Sequence, residues 1–166
     1  MQTSSNYLEN VNAFLDLLIQ EATSVGIDVQ DLKIDHIAIS TGTSEEYEKT
    51  LPELLANGTL VNEAIISNRR VAVIKLNDPI GYKNSQITAV ELIEPKKGET
   101  TKTGWEHAEF LVNSYDTILK KYPELLWDTK DMQRENFSRI KLKLPSGLEI
   151  KFLDTPVLAS VAKDLG

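Results

Sequence analysis

The 166-residue chain contains no cysteine. Disulfides, thiolate nucleophiles and Cys-ligated zinc or iron–sulfur sites are therefore excluded, and any metal must be held by nitrogen and oxygen. Positive charge is in deficit. Eighteen Lys and Arg stand against 25 Asp and Glu, for a formal net charge of −7. Such a balance repels phosphate backbones, so no nucleic-acid partner is expected. No run approaches the ~18 apolar residues of a membrane span, so no membrane partner is expected either. The start, Met1-Gln2-Thr3-Ser4-Ser5-Asn6, lacks the basic opening of a secretion signal. A cytoplasmic protein is the expectation. There is no Gly-rich phosphate loop, no serine nucleophile elbow and no His-Glu-x-x-His. Histidine is scarce as well, with two in the chain.

What is present is an ordinary globular composition, 41% hydrophobic and 26% charged. The length suits a single domain over 1–166 with a real core. Tyr7, Leu8, Val11, Phe14, Leu15, Leu18, Ile19 and Ala22 recur at helical spacing. They predict an N-terminal helix within an extension spanning 1–32, started by Ser4, Ser5 or Asn6 and ended by Gly26. The chain then reads β, α, β, β, β twice, over 33–95 and 104–155. In the first round, Thr43 with Glu46 forms a capping box before a helix, and Pro52 should kink or restart that helix. Turns are expected at Ser67-Asn68 and at Asp78-Pro79-Ile80-Gly81. In the second round the stretch 125–135 is polar and weakly patterned, so its strand is only loosely placed. Phe137 to Leu144 and Leu148 to Leu153 are clear strands around a Pro145-Ser146-Gly147 turn. Thr155-Pro156 has the form of a helix start.

The two histidines fall in matching places. His36 lies in Ile34-Asp35-His36-Ile37-Ala38-Ile39-Ser40, and His107 in Trp105-Glu106-His107-Ala108-Glu109-Phe110-Leu111-Val112. Successive strand side chains point to opposite faces. Ile37 and Ile39 then face the helix, and Ile34, His36, Ala38 and Ser40 oppose them. Ala108, Phe110 and Val112 face the helix; Trp105, His107, Glu109 and Leu111 oppose them. Each half ends in a strand that places a glutamate on the opposing face, Glu91 in the first and Glu149 in the second. Glu94 competes with Glu91. Ionised carboxylates are costly to bury unless paired or bound to a cation. Two imidazoles and two carboxylates converging on one cavity are best satisfied around a divalent metal. His36, Glu91, His107 and Glu149 are the metal-ligand candidates. Glu109 is read as a partner to a ligand, an acid/base or a solvated charge, and Trp105 as a pocket wall or a residue packed in the barrel.

These residues resemble the vicinal oxygen chelate superfamily, which includes glyoxalase I, methylmalonyl-CoA epimerase, extradiol dioxygenases and the fosfomycin or bleomycin resistance proteins. The resemblance rests on Asp35-His36-Ile37-Ala38-Ile39, Val90-Glu91-Leu92-Ile93-Glu94-Pro95 and Leu148-Glu149-Ile150, and covers roughly 33–153. Gly104-Trp105-Glu106-His107, with the N-terminal helix, is similar to the YecM-like subgroup. The resemblance implies an α+β fold of two βαβββ modules forming an open, curved barrel-like sheet. It places metal ligands at His36, Glu91, His107 and Glu149, with open positions for a small substrate that chelates through adjacent oxygens. It implies a Zn, Fe, Mn, Ni or Co ion acting as a Lewis acid, and Glu91, Glu149 or Glu109 moving a proton. The expected activity is that of a metal-dependent lyase/isomerase or oxygenase; the alternative is a non-catalytic protein that sequesters a small molecule. The substrate loops of the named families are not recognisable, and the added helix is absent from the simplest members. Arg69 and Lys75, with Arg139, Lys141 and Lys143, take the polar phase of the later strands. They point to an anionic small-molecule ligand, or to a solvated strand face with salt bridges. Both a monomer and a homodimer are compatible with two modules in one chain.

Overall fold

The computed structural model describes residues 9–165, with side chains through 162. Tyr7, Leu8 and the caps expected at Ser4, Ser5 or Asn6 lie outside the described residues. Helix α1 (Val11–Ser24) buries Val11, Phe14, Leu15, Leu18 and Ala22 on the stripe read from the sequence. It ends as expected at Gly26, whose φ of +98° only glycine adopts easily. The Gly26 N–H bonds to the Thr23 carbonyl and the Ile27 N–H to the Ala22 carbonyl, the paired closure of a Schellman motif.

Strand β1 (Ile34–Ser40) leads into α2 (Ser44–Leu55). The Thr43 side chain accepts from the Glu46 N–H, while the Glu46 carboxylate accepts from the Gly42 N–H. Pro52 does not break α2, which continues to Leu55. The hairpin of β2 (Gly58–Ile66) and β3 (Arg69–Tyr82) turns at Ser67-Asn68, both at positive φ. No turn forms at 78–81. Strand β3 runs on to Tyr82 through an irregular stretch between Lys75 and Ile80, and the reversal comes before β4 (Ser85–Ile93), with Lys83 at positive φ. Pro79 falls in the register shift between β3 and β4, where it has no ladder partner on β4.

In the second half, β5 (Gly104–Leu111) precedes α3 (Tyr115–Lys121), β6 (Ile140–Lys143) and β7 (Glu149–Leu153). Residues 125–135 form no strand. Asp128 makes one isolated bridge to Lys141. This segment lacks the apolar alternation that would bury one face, so it packs as an irregular flap. Helix α4 (Val157–Leu165) follows Pro156. Its start is capped from a distance, with the Asp35 carboxylate accepting from the Val157 N–H at 2.9 Å.

All seven strands form one open α+β sheet in the order β2-β3-β4-β1-β5-β7-β6. Strand β1 is parallel to β4, β5 is parallel to β7, and β1 meets β5 antiparallel. The main core lies between the sheet and α1–α3, and includes Ile37, Ile39, Val90, Leu92, Phe110, Ile150 and Phe152. On the other face a smaller cluster joins Val73 and Ala89 to Val157 and Val161 of α4. The helix at the end of the chain thus packs on the face that carries both histidines.

Candidate metal centre

Strand register explains why the polar residues meet. Across β4, β1, β5 and β7 one row of neighbours reads Ala89, His36, Glu109, Lys151, and the next reads Glu91, Ala38, His107, Glu149. Ala38 occupies the middle of this grid. Its methyl group leaves space over which Glu91 and His107 lean toward His36 and Glu109. One ligand atom from each of His36, Glu91, His107 and Glu109 lies within 4.8 Å of the other three, and all four residues are buried.

Both imidazoles are aimed from behind. Nδ1 of His36 lies 2.7 Å from the Asp35 carboxylate, and Nδ1 of His107 lies 2.8 Å from that of Glu106. In each half the acid directly before the histidine holds the ring and leaves Nε2 pointing inward. Nε2 of His36 is 2.9 Å from Glu109 Oε2 and 3.3 Å from Glu91 Oε1. Nε2 of His107 is 3.1 Å from Glu109 Oε2 and 3.5 Å from Glu91 Oε1. Arg139 Nη1 also donates to Glu109 Oε2, at 3.1 Å.

The electrostatics follow from this crowding. Burial alone lowers the His36 pKa, but the charges of Glu109 and Glu91 and the bond to Asp35 outweigh it and raise the ring well above its ordinary value. Burial and the Lys151 ammonium also lower His107. Its bonds to Glu106, Glu109 and Glu91 prevail, and it rises to about 9. Burial pushes Glu91 up and the His36 charge pulls it down, with a net fall. Burial also pushes Glu109 up, and Arg139 and then His36 bring it well below the usual carboxylate range.

The donor set fits a divalent transition metal. A neutral imidazole has one N–H, so with Nδ1–H given to Asp35 or Glu106 the Nε2 lone pair faces carboxylate oxygens. That contact is repulsive unless a second proton or a cation lies between. Glu109 is crowded in the same sense: Oε2 lies within hydrogen-bond distance of both Nε2 atoms and accepts from Arg139, while Oε1 is buried with no partner. An unpartnered buried acceptor costs about 1–3 kcal/mol, which a cation in the cluster would relieve. Two imidazoles with two carboxylates is a set that Zn, Fe, Mn, Ni and Co all accept.

The structure assembles His36, Glu91 and His107 as the sequence led one to expect, and adds Glu109. Glu149 does not join the four; it groups instead with Glu106 and His107 on the outer side. The rival of Glu91 is elsewhere, since Glu94 bonds to the Arg70 amide and guanidinium. Trp105 is not a pocket wall. Register slips between Ala38 and Ile39 pairing, so Trp105 turns to the helix side and stacks on Phe14 with ring centroids 5.6 Å apart. A similar slip beside Ile34 sends that residue into the main core rather than to the His36 face. Lys75 is exposed beside the irregular stretch of β3 and lines none of the cavity next to the cluster; Lys143 is exposed too. Arg69, Arg139 and Lys141 do line that cavity. Asp35, Glu106 and Lys151 were not singled out from the sequence. The acid-His dipeptides Asp35-His36 and Glu106-His107 were the available signal for the first two.

The sequence matches the profile of the YecM protein family over residues 3–163. The chain belongs to this family. Relatives include protein YecM of Escherichia coli, 26% identical over 149 residues, covering 88% of this chain and 77% of that protein. An uncharacterized protein of Haemophilus influenzae is 30% identical over 115 residues, 65% of this chain and 60% of the relative's length. Among solved structures, the structural-genomics protein EC4020 superposes with a TM-score of 0.75 at 22% identity, covering 96% of this chain and 92% of its own. A methylmalonyl-CoA epimerase in complex with methylmalonyl-CoA and NH4+ superposes with a TM-score of 0.52 at 15% identity, covering 75% and 94%. The fold is therefore that of the vicinal oxygen chelate proteins. Among the described residues no helix is long and apolar enough to cross a membrane.

Proposed function

We propose that this chain binds one divalent transition metal through Nε2 of His36 and His107 and a carboxylate oxygen from each of Glu91 and Glu109, and acts on a small oxygen-chelating ligand as a lyase or isomerase. The observation that carries this reading is the convergence of four buried ligand atoms within 4.8 Å, with each imidazole pinned at Nδ1 by its own carboxylate. Such a metal, when bound, supplies a Lewis acid for a carbonyl or hydroxyl oxygen. Asp35 and Glu106 fix the ring orientations. Arg139 holds Glu109 in place. Of the three glutamates considered as proton carriers, Glu91 alone lines the adjoining cavity, so it is assigned that role.

A second reading, sequestration without chemistry, is favoured by one observation. Both inner carboxylates are already engaged by imidazole or guanidinium groups, which leaves neither idle as a base. A ligand that raises the melting temperature without turnover in any isomerase, lyase or oxygenase assay would select it.

The test of the metal site is elemental analysis of the purified native protein beside His36→Ala and His107→Ala. About one transition metal per chain, lost in both variants, is the expected result. Absence of metal after incubation with excess divalent ions, or tight binding retained by His107→Ala, would overturn the assignment.

A further inference from the structure

The concave face holds a cavity of about 390 Å³ that opens from Glu91 and is walled by β2, β3, β4, β6, β7 and the 131–137 segment. Its charge is opposite to that of the molecule. Five cations, Arg69, Arg134, Arg139, Lys141 and Lys151, line it against two carboxylates, Glu91 and Asp131, in a chain of net charge −7. Three of the five are already paired. Arg134 and Lys141 bind Asp131 at 3.0 and 2.9 Å, and Arg139 binds Glu109 at 3.1 Å. The other two are held less closely. Arg69 makes no ion pair among the described residues, and its Nε is buried without a hydrogen-bond partner. Lys151 is 6% exposed, and its nearest carboxylate, Glu149, stands 3.9 Å away, beyond hydrogen-bond reach. Both line the same cavity. A buried guanidinium donor left unsatisfied is destabilising unless a ligand completes it, and Lys151 adds a cation whose ion pair to Glu149 is loose.

We propose that Arg69 and Lys151 form a carboxylate seat, and that the ligand is a short dicarboxylate. One end carries an adjacent oxygen pair directed at the His36–Glu91–His107–Glu109 cluster, and the far carboxylate rests on Arg69 and Lys151. This rests on the metal reading for the near end only. The planar fork of Arg69 suits a carboxylate, and Lys151 adds a point charge beside it. A cavity of this volume holds an acyl chain of a few carbons.

The test uses two probes of equal chain length, 2-oxoglutarate and 2-oxopentanoate, which differ only in the far carboxylate. Calorimetric affinities are measured on the full chain, as purified and after metal loading, for wild type, Arg69→Gln and Lys151→Met, with metal content recorded for each. The expected result is tighter binding of 2-oxoglutarate by about tenfold or more, with the ratio collapsing toward unity in Arg69→Gln. The ratio between probes cancels any general loss of affinity, and Arg69→Gln keeps the test valid if Lys151→Met fails to fold. Equal affinity for both probes in wild type, or an undiminished ratio in Arg69→Gln, overturns the seat. A ratio that depends on Arg69 in a protein that takes up no metal supports the seat while sinking the metal reading.

Discussion

The two halves of the molecule build their walls of the site differently. A shift of 71 positions carries Asp35-His36 onto Glu106-His107, so each half supplies an acid-pinned imidazole. The same shift carries Ala38 onto Glu109, and the strand that pairs beside it carries Glu91 onto Lys151. The first half thus has alanine on its first strand and a carboxylate on its last; the second has a carboxylate on its first strand and a lysine on its last. The carboxylate has moved one strand inward. In its old place stands a buried cation that faces the cavity. Both halves carry the imidazole, while a lysine in the place of a carboxylate gives the site a distinct cationic side.

The largest expected effect comes from breaking this difference. Glu109→Ala makes the second half resemble the first at Ala38, removes one inner carboxylate and leaves Arg139 without its partner, so metal binding should be lost. Adding Lys151→Glu restores a carboxylate where the first half has Glu91, and the double variant Glu109→Ala/Lys151→Glu should regain metal in elemental analysis. No recovery would show that the two arrangements are not interchangeable.

A smaller effect is expected from the pinning acids, which the halves share. Asp35→Asn and Glu106→Gln should each weaken metal affinity by about 10–100-fold in competition with a chelator. Asp35→Ala should also lower the melting temperature, because Asp35 caps α4 at Val157 and alanine offers no acceptor.

The pH dependence sharpens the role of the imidazoles. In the metal-free chain His107 is raised to about 9, so its protonated form stabilises the fold. That contribution is complete below the ordinary histidine value of about 6.5 and is lost as pH rises through about 9. Metal needs the unprotonated Nε2, so its affinity moves the other way. The rise in melting temperature on adding metal should therefore grow between pH 6.5 and 9. A rise that shrinks with pH would contradict the competition between proton and metal.

The smallest effect on the site is expected at Trp105. Trp105→Ala removes the ring that stacks on Phe14 and should cost about 3 kcal/mol in denaturant unfolding. Metal affinity should stay within about twofold, since the side chain faces α1.

Much of this was legible in strand parity. His36, Glu91, His107 and Glu109 all fall out of phase with the apolar residues, and all lie on the face away from the main core. Parity names a face but not a level along the strand. Glu149 and Lys151 share parity, and only the pairing of His107 with Glu149 and Glu109 with Lys151 shows which of them stands where Glu91 does. Parity also fails at a bulge. One slip between His107 and Trp105 reverses the tryptophan, and nothing in Gly104-Trp105-Glu106 announces it. The flap over 125–135 carries no period at all, so its contribution of Asp131 and Arg134 to the cavity was not legible, whereas Arg139 was, through the polar phase of Phe137 to Leu144.

The most direct test of the central claim is the metal affinity of Glu109→Gln beside Glu149→Gln, both neutral and near-isosteric. Loss of about tenfold or more in Glu109→Gln, with Glu149→Gln within about twofold of wild type, is the result expected if the carboxylate of the second half has moved one strand inward. Loss in Glu149→Gln with full retention in Glu109→Gln would contradict it, and would return the site to a symmetric pair of halves.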